Sequence, residues 1–242
     1  MEIVAIIPAG GAGKRFGGDL SKQYLVLNGT YMLVHTLAVF QQMKSIDRMI
    51  LLVPEKDIGF VKSTILAGYG LSKVATVLAG GKERQDSVKN GLDALGQTLD
   101  VDDIVIIHDA VRPMVSEELI DKTIDECRIH DAATLGVPVK DTLKAVSKDG
   151  WIYETPDRKH FWLSQTPQAF KKGIIFEAYK RAYEENFYGT DDAALVERIG
   201  ISVRMVFGSY KNIKITTPED IVFAEYLLKR RYKEKFMLKA EE

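Results

Sequence analysis

Apolar positions along the chain fall into two alternating patterns. Short, largely apolar runs occur at 4–7, 49–53, 74–78, 104–107, 134–137 and 203–207, as expected of buried strands. Between them, 33–40, 58–66, 85–95 and 119–129 carry apolar stripes at helical spacing. Strands that alternate with helices predict an α/β fold with a mostly parallel sheet and helices on both faces. Such sheets bind ligands outside the carboxyl ends of their strands, where strand order reverses. Helical patterning resumes at 173–185 and 191–199. In a last helix, Thr217 suits the N-cap, Pro218 the first helical position, and Glu219 and Asp220 the acidic first turn. It runs to about residue 236 and ends in a charged tail.

The alternation breaks at about 140–156. There Asp149-Gly150 lies between two short β-prone segments and predicts a hairpin. An isolated two-stranded hairpin is marginal in water, so this one should lie on something, either a partner subunit or its own sheet. With no repeat, low-complexity tract or linker, the pattern implies one domain over 1–242.

Composition narrows this picture by exclusion. A net charge of -1 over 242 residues gives no global field to attract nucleic acid, so any anion site must be built locally. Cys127, the single cysteine, excludes an internal disulfide framework. It shares a helical face with Ile120 and Ile124, which marks it as a small core residue rather than a nucleophile. The histidines (His35, His108, His130, His160) show no metal-ligand spacing. No apolar run approaches ~20 residues, so no membrane span is expected. The chain begins directly in a strand with no signal-peptide pattern, which makes the cytoplasm the expected location.

Candidate chemistry begins where the first strand ends, at Pro8-Ala9-Gly10-Gly11-Ala12-Gly13-Lys14-Arg15. Glycines let backbone approach a ligand closely, and successive N–H groups in such a turn cradle anionic oxygens. Lys14, Arg15 and, further on, Lys22 add cations, so the loop suits a polyphosphate. It matches neither the dinucleotide fingerprint, whose third glycine is replaced by Phe16, nor the P-loop, whose Ser or Thr is replaced by Arg15. Gly80 and Gly81 repeat the logic after another strand, with Ser87 about one turn into the next helix. The run at 104–107 leads straight into His108-Asp109, which puts a carboxylate at a strand's carboxyl end. Beside a polyphosphate, Asp109 is a suitable hard ligand for Mg²⁺, which binds few carboxylates together with substrate phosphates. Arg112 brings a further cation to that rim, whereas His108 reads as a local packing residue. Asp100-Val101-Asp102 precedes its strand and therefore lies at the wrong end of the sheet.

Taken in order, these motifs resemble the nucleotidylyltransferases, specifically the 2-C-methyl-D-erythritol 4-phosphate cytidylyltransferase family. Further markers are Lys22-Gln23-Tyr24, Arg84, Asp86-Ser87-Val88, Asp141-Thr142, Asp157-Arg158, Gln165-Thr166-Pro167-Gln168, Thr190-Asp191 and Asn212-Ile213-Lys214. The resemblance runs from Ile7 to about Leu228. The chain has Ala-Gly-Gly where the family usually shows Ala-Ala-Gly, and Asp where Glu is common near Thr190.

The resemblance implies a Rossmann-like sheet with a protruding β-hairpin arm that exchanges between the subunits of a homodimer. It implies Mg²⁺-dependent transfer of CMP from CTP to a small sugar-alcohol phosphate, 2-C-methyl-D-erythritol 4-phosphate, with release of pyrophosphate, in isoprenoid precursor synthesis. CTP would be held by Pro8, Ala9, Gly10, Gly11, Gly13, Lys14, Gly80, Gly81 and Ser87, with Mg²⁺ on Asp109. Arg15 and Lys22 would stabilise the transition state. Arg112, Thr142, Arg158, Thr166, Thr190 and Lys214 would bind the acceptor, with Arg158 and Lys214 also catalytic. The nucleophile is an already ionised phosphate oxygen, so no base is needed and the difficulty is charge. Two unit charges ~4 Å apart interact by ~1 kcal/mol in water but ~4 kcal/mol at an effective dielectric near 20. Two rival readings are a ribitol 5-phosphate cytidylyltransferase and a non-catalytic nucleotide-binding module. The Thr142 and Arg158 pattern speaks against the first. The presence of Arg15, Lys22, Asp109 and Lys214 speaks against the second.

Overall fold

The computed structural model describes residues 1–10, 22–96 and 98–240, with side chains as far as residue 231. In chain order its strands are β1 (Ile3–Pro8), β2 (Val26–Leu27), β3 (Thr30–Tyr31), β4 (Arg48–Val53), β5 (Val74–Ala79) and β6 (Ile104–Ile107), then β7 (Ala132–Pro138), β8 (Ala145–Val146), β9 (Ile152–Glu154), β10 (Trp162–Lys171) and β11 (Arg204–Phe207). The helices are α1 (Met32–Gln42), α2 (Ile58–Phe60), α3 (Ala67–Tyr69), α4 (Arg84–Leu95), α5 (Glu117–His130), α6 (Lys172–Glu184), α7 (Asp192–Arg198) and α8 (Pro218–Ala240). Between α2 and α3, Val61–Leu66 winds as a π-helix, so the helix expected at 58–66 is present but wider in its middle.

Seven strands form one sheet in the order β11-β7-β10-β6-β1-β4-β5. Only β10 runs against its neighbours β6 and β7; the other pairings are parallel. The expected mostly parallel α/β sheet is therefore the one observed. Side chains alternate across it with the period of 2 that a pleated strand imposes. From β1, Ile3, Ala5 and Ile7 enter the core on one face, beneath α1 and α5. Val4 and Ile6 enter the opposite core, beneath α4, α6 and α7. Burial on both faces explains why these strands read as unbroken apolar runs. Cys127 lies fully buried in the first of these cores, as its helical face indicated.

A third, smaller cluster joins Leu27, Met32, Met114 and Ile215 to Leu227 and Leu228 of α8. The start of α8 is fixed by Asp220, whose Oδ2 accepts the backbone N–H groups of Thr216 and Thr217 at 2.7 and 2.8 Å. The hairpin is β8 paired with β9, a two-stranded sheet separate from the main one. Asp103, next to Asp100-Val101-Asp102, accepts Glu2 N–H at 2.6 Å at the amino end of the sheet.

Candidate functional site

After β1 the chain moves outward to β4 and β5, then returns to β6 on the other side of β1. The crevice at the carboxyl ends of β1 and β6 is thus the point where strand order reverses. Pro8, Ala9 and Gly10 follow β1, Gly80 follows β5, and His108 and Asp109 follow β6.

Gly10 and Gly80 meet over the end of β4, where Ala9 N–H donates to Leu52 O at 2.7 Å and Gly80 N–H to Val53 O at 2.8 Å. A Cβ on Gly80 would lie 3.6 Å from the Gly10 Cα and 3.0 Å from Ser87 Oγ. The two glycines are what allow the backbones to pass so closely. Ser87 Oγ accepts Gly81 N–H at 3.0 Å and donates to Glu83 O at 3.2 Å. Ser87 therefore shapes the turn from within. Gly11, Gly13, Lys14 and Arg15 lie outside the described residues. Lys22 opens the short turn Lys22–Tyr24, whose buried Tyr24 ring packs edge-on against Phe60 at 5.4 Å.

Asp109 is 5% exposed and meets three cations. Arg84 Nε donates to Oδ1 at 2.8 Å, Lys214 Nζ reaches Oδ2 at 2.9 Å, and Arg112 Nε lies 3.5 Å from Oδ2. Burial alone would raise the Asp109 pKa; the charges of Arg84, Lys214 and Arg112 reverse this and hold it far below the usual carboxylate range. The cluster continues through Arg84 Nη2 to Asp192 Oδ2 at 2.7 Å, and from Asp192 Oδ1 to the Tyr179 hydroxyl at 2.6 Å. Lys214 is the exposed member, at 39%, against 10% for Arg112. Arg112 also donates to Asn212 O at 2.9 Å, so its guanidinium braces the site from below.

Thr166 lies where β10 passes the end of β6, and its Oγ1 accepts Asp109 N–H at 3.0 Å. Its proton then points to His108 Nδ1 at 3.1 Å, which leaves His108 Nε2–H to donate to Arg112 O at 3.2 Å. Burial lowers the His108 pKa to about 4, so the ring is neutral and acts as a local brace. Thr190 is exposed just before α7. The N-cap of α7 is Asp191, which accepts Ala194 N–H at 3.0 Å through Oδ1 and binds Ser164 and Gln168 through Oδ2 at 2.8 and 2.9 Å.

Thr142 and Arg158 are exposed at the base of the hairpin. Arg158 Nη1 donates to Lys140 O and closes that base. The structure thus brings Gly10, Gly80, Gly81 and Ser87 together, and separately Asp109, Arg112, Thr166 and Lys214. Motif spacing assigned Arg84 no role and missed Asp192 and Tyr179. Their partners lie far along the chain, and the only signal was Arg84 standing among the family markers.

Among the described residues no group of three or more His, Cys, Asp or Glu is placed to hold a metal. Asp109 stands alone in this respect. Its ionised carboxylate has about four acceptor positions, of which Arg84 and Lys214 take two, and so has room for an ion that takes one protein carboxylate and completes its shell with phosphate oxygens.

The 2-C-methyl-D-erythritol 4-phosphate cytidylyltransferase family model matches residues 3–230. The protein of that name from Syntrophus aciditrophicus is 51% identical, over 95% of this chain and 97% of its own. Its namesake from Geobacter metallireducens is 47% identical, over 96% and 99%. The crystal structure of 4-diphosphocytidyl-2C-methyl-D-erythritol synthase from Anaerococcus prevotii superposes with a TM-score of 0.82 at 37% identity, covering 94% of this chain and 96% of that one.

Proposed function

Because this chain belongs to the 2-C-methyl-D-erythritol 4-phosphate cytidylyltransferase family, we propose that its site transfers CMP from CTP to 2-C-methyl-D-erythritol 4-phosphate, as a step of isoprenoid precursor synthesis. An oxygen of the acceptor phosphate attacks the α-phosphorus of CTP. The bond from that phosphorus to the bridging oxygen breaks, and pyrophosphate leaves in line. The observation that carries this reading is the buried Asp109 carboxylate with three cations at the strand-order reversal, of which only Lys214 is exposed.

The reading assigns CTP to the glycine-rich sequence from Pro8 to Gly13 and to the turn from Gly80 to Ser87. The acceptor phosphate goes to Lys214, Thr190 and, at the base of the hairpin, Thr142 and Arg158. Arg112 and Thr166 serve the acceptor side by holding Asp109 and the β10 backbone in place. Asp109 would hold Mg²⁺, which neutralises polyphosphate charge when bound. Catalysis is then positioning plus charge stabilisation, to which Arg15 and Lys22 contribute cations. The whole chain acts as one nucleotidylyltransferase domain, and the hairpin serves as its dimer contact.

The test is pyrophosphate release with CTP and Mg²⁺, comparing methylerythritol 4-phosphate with ribitol 5-phosphate. Release with the first alone is expected; release with ribitol 5-phosphate alone overturns the acceptor assignment. For Lys22→Ala, kcat should fall by ~10²–10³, the usual cost of one lost charge-stabilising donor. Full turnover by the folded variant would remove Lys22 from the mechanism.

A further inference from the structure

Three consecutive side chains in the first turn of α4 reach across to the end of α6, the start of α7 and the segment between them. Arg84 donates to Asp192 at 2.7 Å. Gln85 Nε2 donates to Phe187 O at 3.0 Å, and its Oε1 accepts Gly189 N–H at 3.0 Å. Asp86 Oδ1 accepts the hydroxyls of Tyr183 and Tyr188 at 2.5 and 3.0 Å.

The turn of α4 follows directly on the Gly80-Gly81 turn, and the segment it binds ends in Thr190 and the N-cap of α7. Gln85 is the centre of this seam. It is only 7% exposed, and it touches backbone alone on the far side. One planar amide that donates to one peptide group and accepts from another two residues on fixes both the position and the tilt of that backbone. Beside the seam lies a cleft of about 500 Å³ lined by Lys82, Arg84, Gln85, Tyr188 and Gly189 among others, so the segment has room to shift if released.

We propose that Gln85 is a positioning residue for the acceptor: it locks segment 187–191, and with it Thr190, to the nucleotide-side turn. The inference rests on the reading of Thr190 as an acceptor-phosphate contact. Gln85 makes no substrate contact itself. Its loss should therefore loosen acceptor binding and leave the charge cluster around Asp109 intact.

Three purified variants, Gln85→Ala, Gln85→Glu and Thr190→Ala, test this by steady-state kinetics against both substrates. Peptide-level hydrogen exchange across 186–192 is read on the same proteins. Gln85→Ala should raise the KM for the acceptor about tenfold, the equivalent of ~1.4 kcal/mol, with kcat and the KM for CTP within about twofold. Exchange in 186–192 should quicken, because Gly189 N–H loses its acceptor. Gln85→Glu keeps the shape and the bond to Gly189 but turns an oxygen toward Phe187 O. With two buried acceptors facing each other in place of that bond, it should give a rise of the same kind and at least as large, and because it fills the same volume it guards against a packing failure of the alanine variant. A KM for CTP that rises as much as that for the acceptor overturns the proposal. An unchanged acceptor KM in Gln85→Ala beside a raised one in Thr190→Ala overturns the proposal alone. An unchanged acceptor KM in both overturns the Thr190 reading as well.

Discussion

At the position of Asp109 an isolated carboxyl group would keep its proton, because burial disfavours charge. Arg84, Lys214 and Arg112 prevent that, yet they are not equivalent. Arg84 bridges two carboxylates that are nearly sealed from water, at 7% and 1% side-chain exposure. Removing it would leave both uncompensated, and breaking a buried pair typically costs ~3–5 kcal/mol. Lys214 is exposed, where an ion pair is worth ~0–1 kcal/mol. We therefore expect Arg84→Ala to lower unfolding stability in urea by ~3 kcal/mol or more, and Lys214→Ala to lower it by under ~1 kcal/mol while nearly abolishing turnover. Equal stability losses would refute the division between a structural and a working cation. A second expectation concerns Cys127, fully buried, whose thiol is pushed up to about 12 chiefly by burial. The thiolate is the reactive form, so the folded protein should resist a thiol reagent at pH 8 and react once per chain in denaturant. Rapid reaction in the folded state would show that the α5 face opens.

Among the elements, legibility in the sequence depended on what each one buries. Strands β1, β4 and β6 bury aliphatic side chains on both faces and stand out as apolar runs. β10 does not stand out, although it is the longest strand and the only one in the main sheet to run against its neighbours. Its inner residues include Gln165, Thr166 and Gln168, which are buried but polar. The two glutamines are satisfied by Thr134, Asn212 and Asp191, and Thr166 by His108 and the Asp109 N–H, partners that no local pattern announces. The register also shifts between Ser164 and Gln168, around Pro167, which breaks the period of 2. The same reasoning separates the two halves of the site. Glycine turns after strands are local and could be read directly, whereas Arg84 with Asp192 and Gln85 with Gly189 are pairings across 108 and 104 positions. The turn between β5 and α4 gives a sharp test at this scale. A Cβ on Gly81 would lie 2.2 Å from the Asp86 Cβ and 2.8 Å from its carbonyl carbon, so an added methyl must force the turn away from the helix start. Gly81→Ala should raise the KM for CTP at least tenfold and leave the rest of the fold intact by circular dichroism. CTP binding at the parent affinity would mean that this turn does not contact the nucleotide.

On the scale of the whole molecule, the hairpin is the feature the single chain does least to explain. β8 and β9 pair through two register positions only, and the arm presents Trp151, Ile152 and Tyr153 at 77%, 58% and 71% exposure. So short a ribbon is marginal in water by itself, and a cluster of large exposed apolar side chains marks a contact surface. Its base is well made: Val139 N–H donates to Phe161 O at 3.0 Å, Arg158 bonds Lys140 O, and Lys140 Nζ sits 3.4 Å from the centre of the Tyr210 ring. A firmly rooted arm with an apolar tip is built to be covered, and a second copy of the chain is the occupant expected from the family reading. Thr142 and Arg158 flank that arm, so its docking would set where both residues point. Trp151→Glu places a charge at the tip without touching the root. By sedimentation it should turn a dimer into a monomer, and it should raise the KM for the acceptor more than that for CTP. An arm variant that stays dimeric with parental kinetics would place the subunit contact elsewhere and leave the acceptor site independent of how the arm docks.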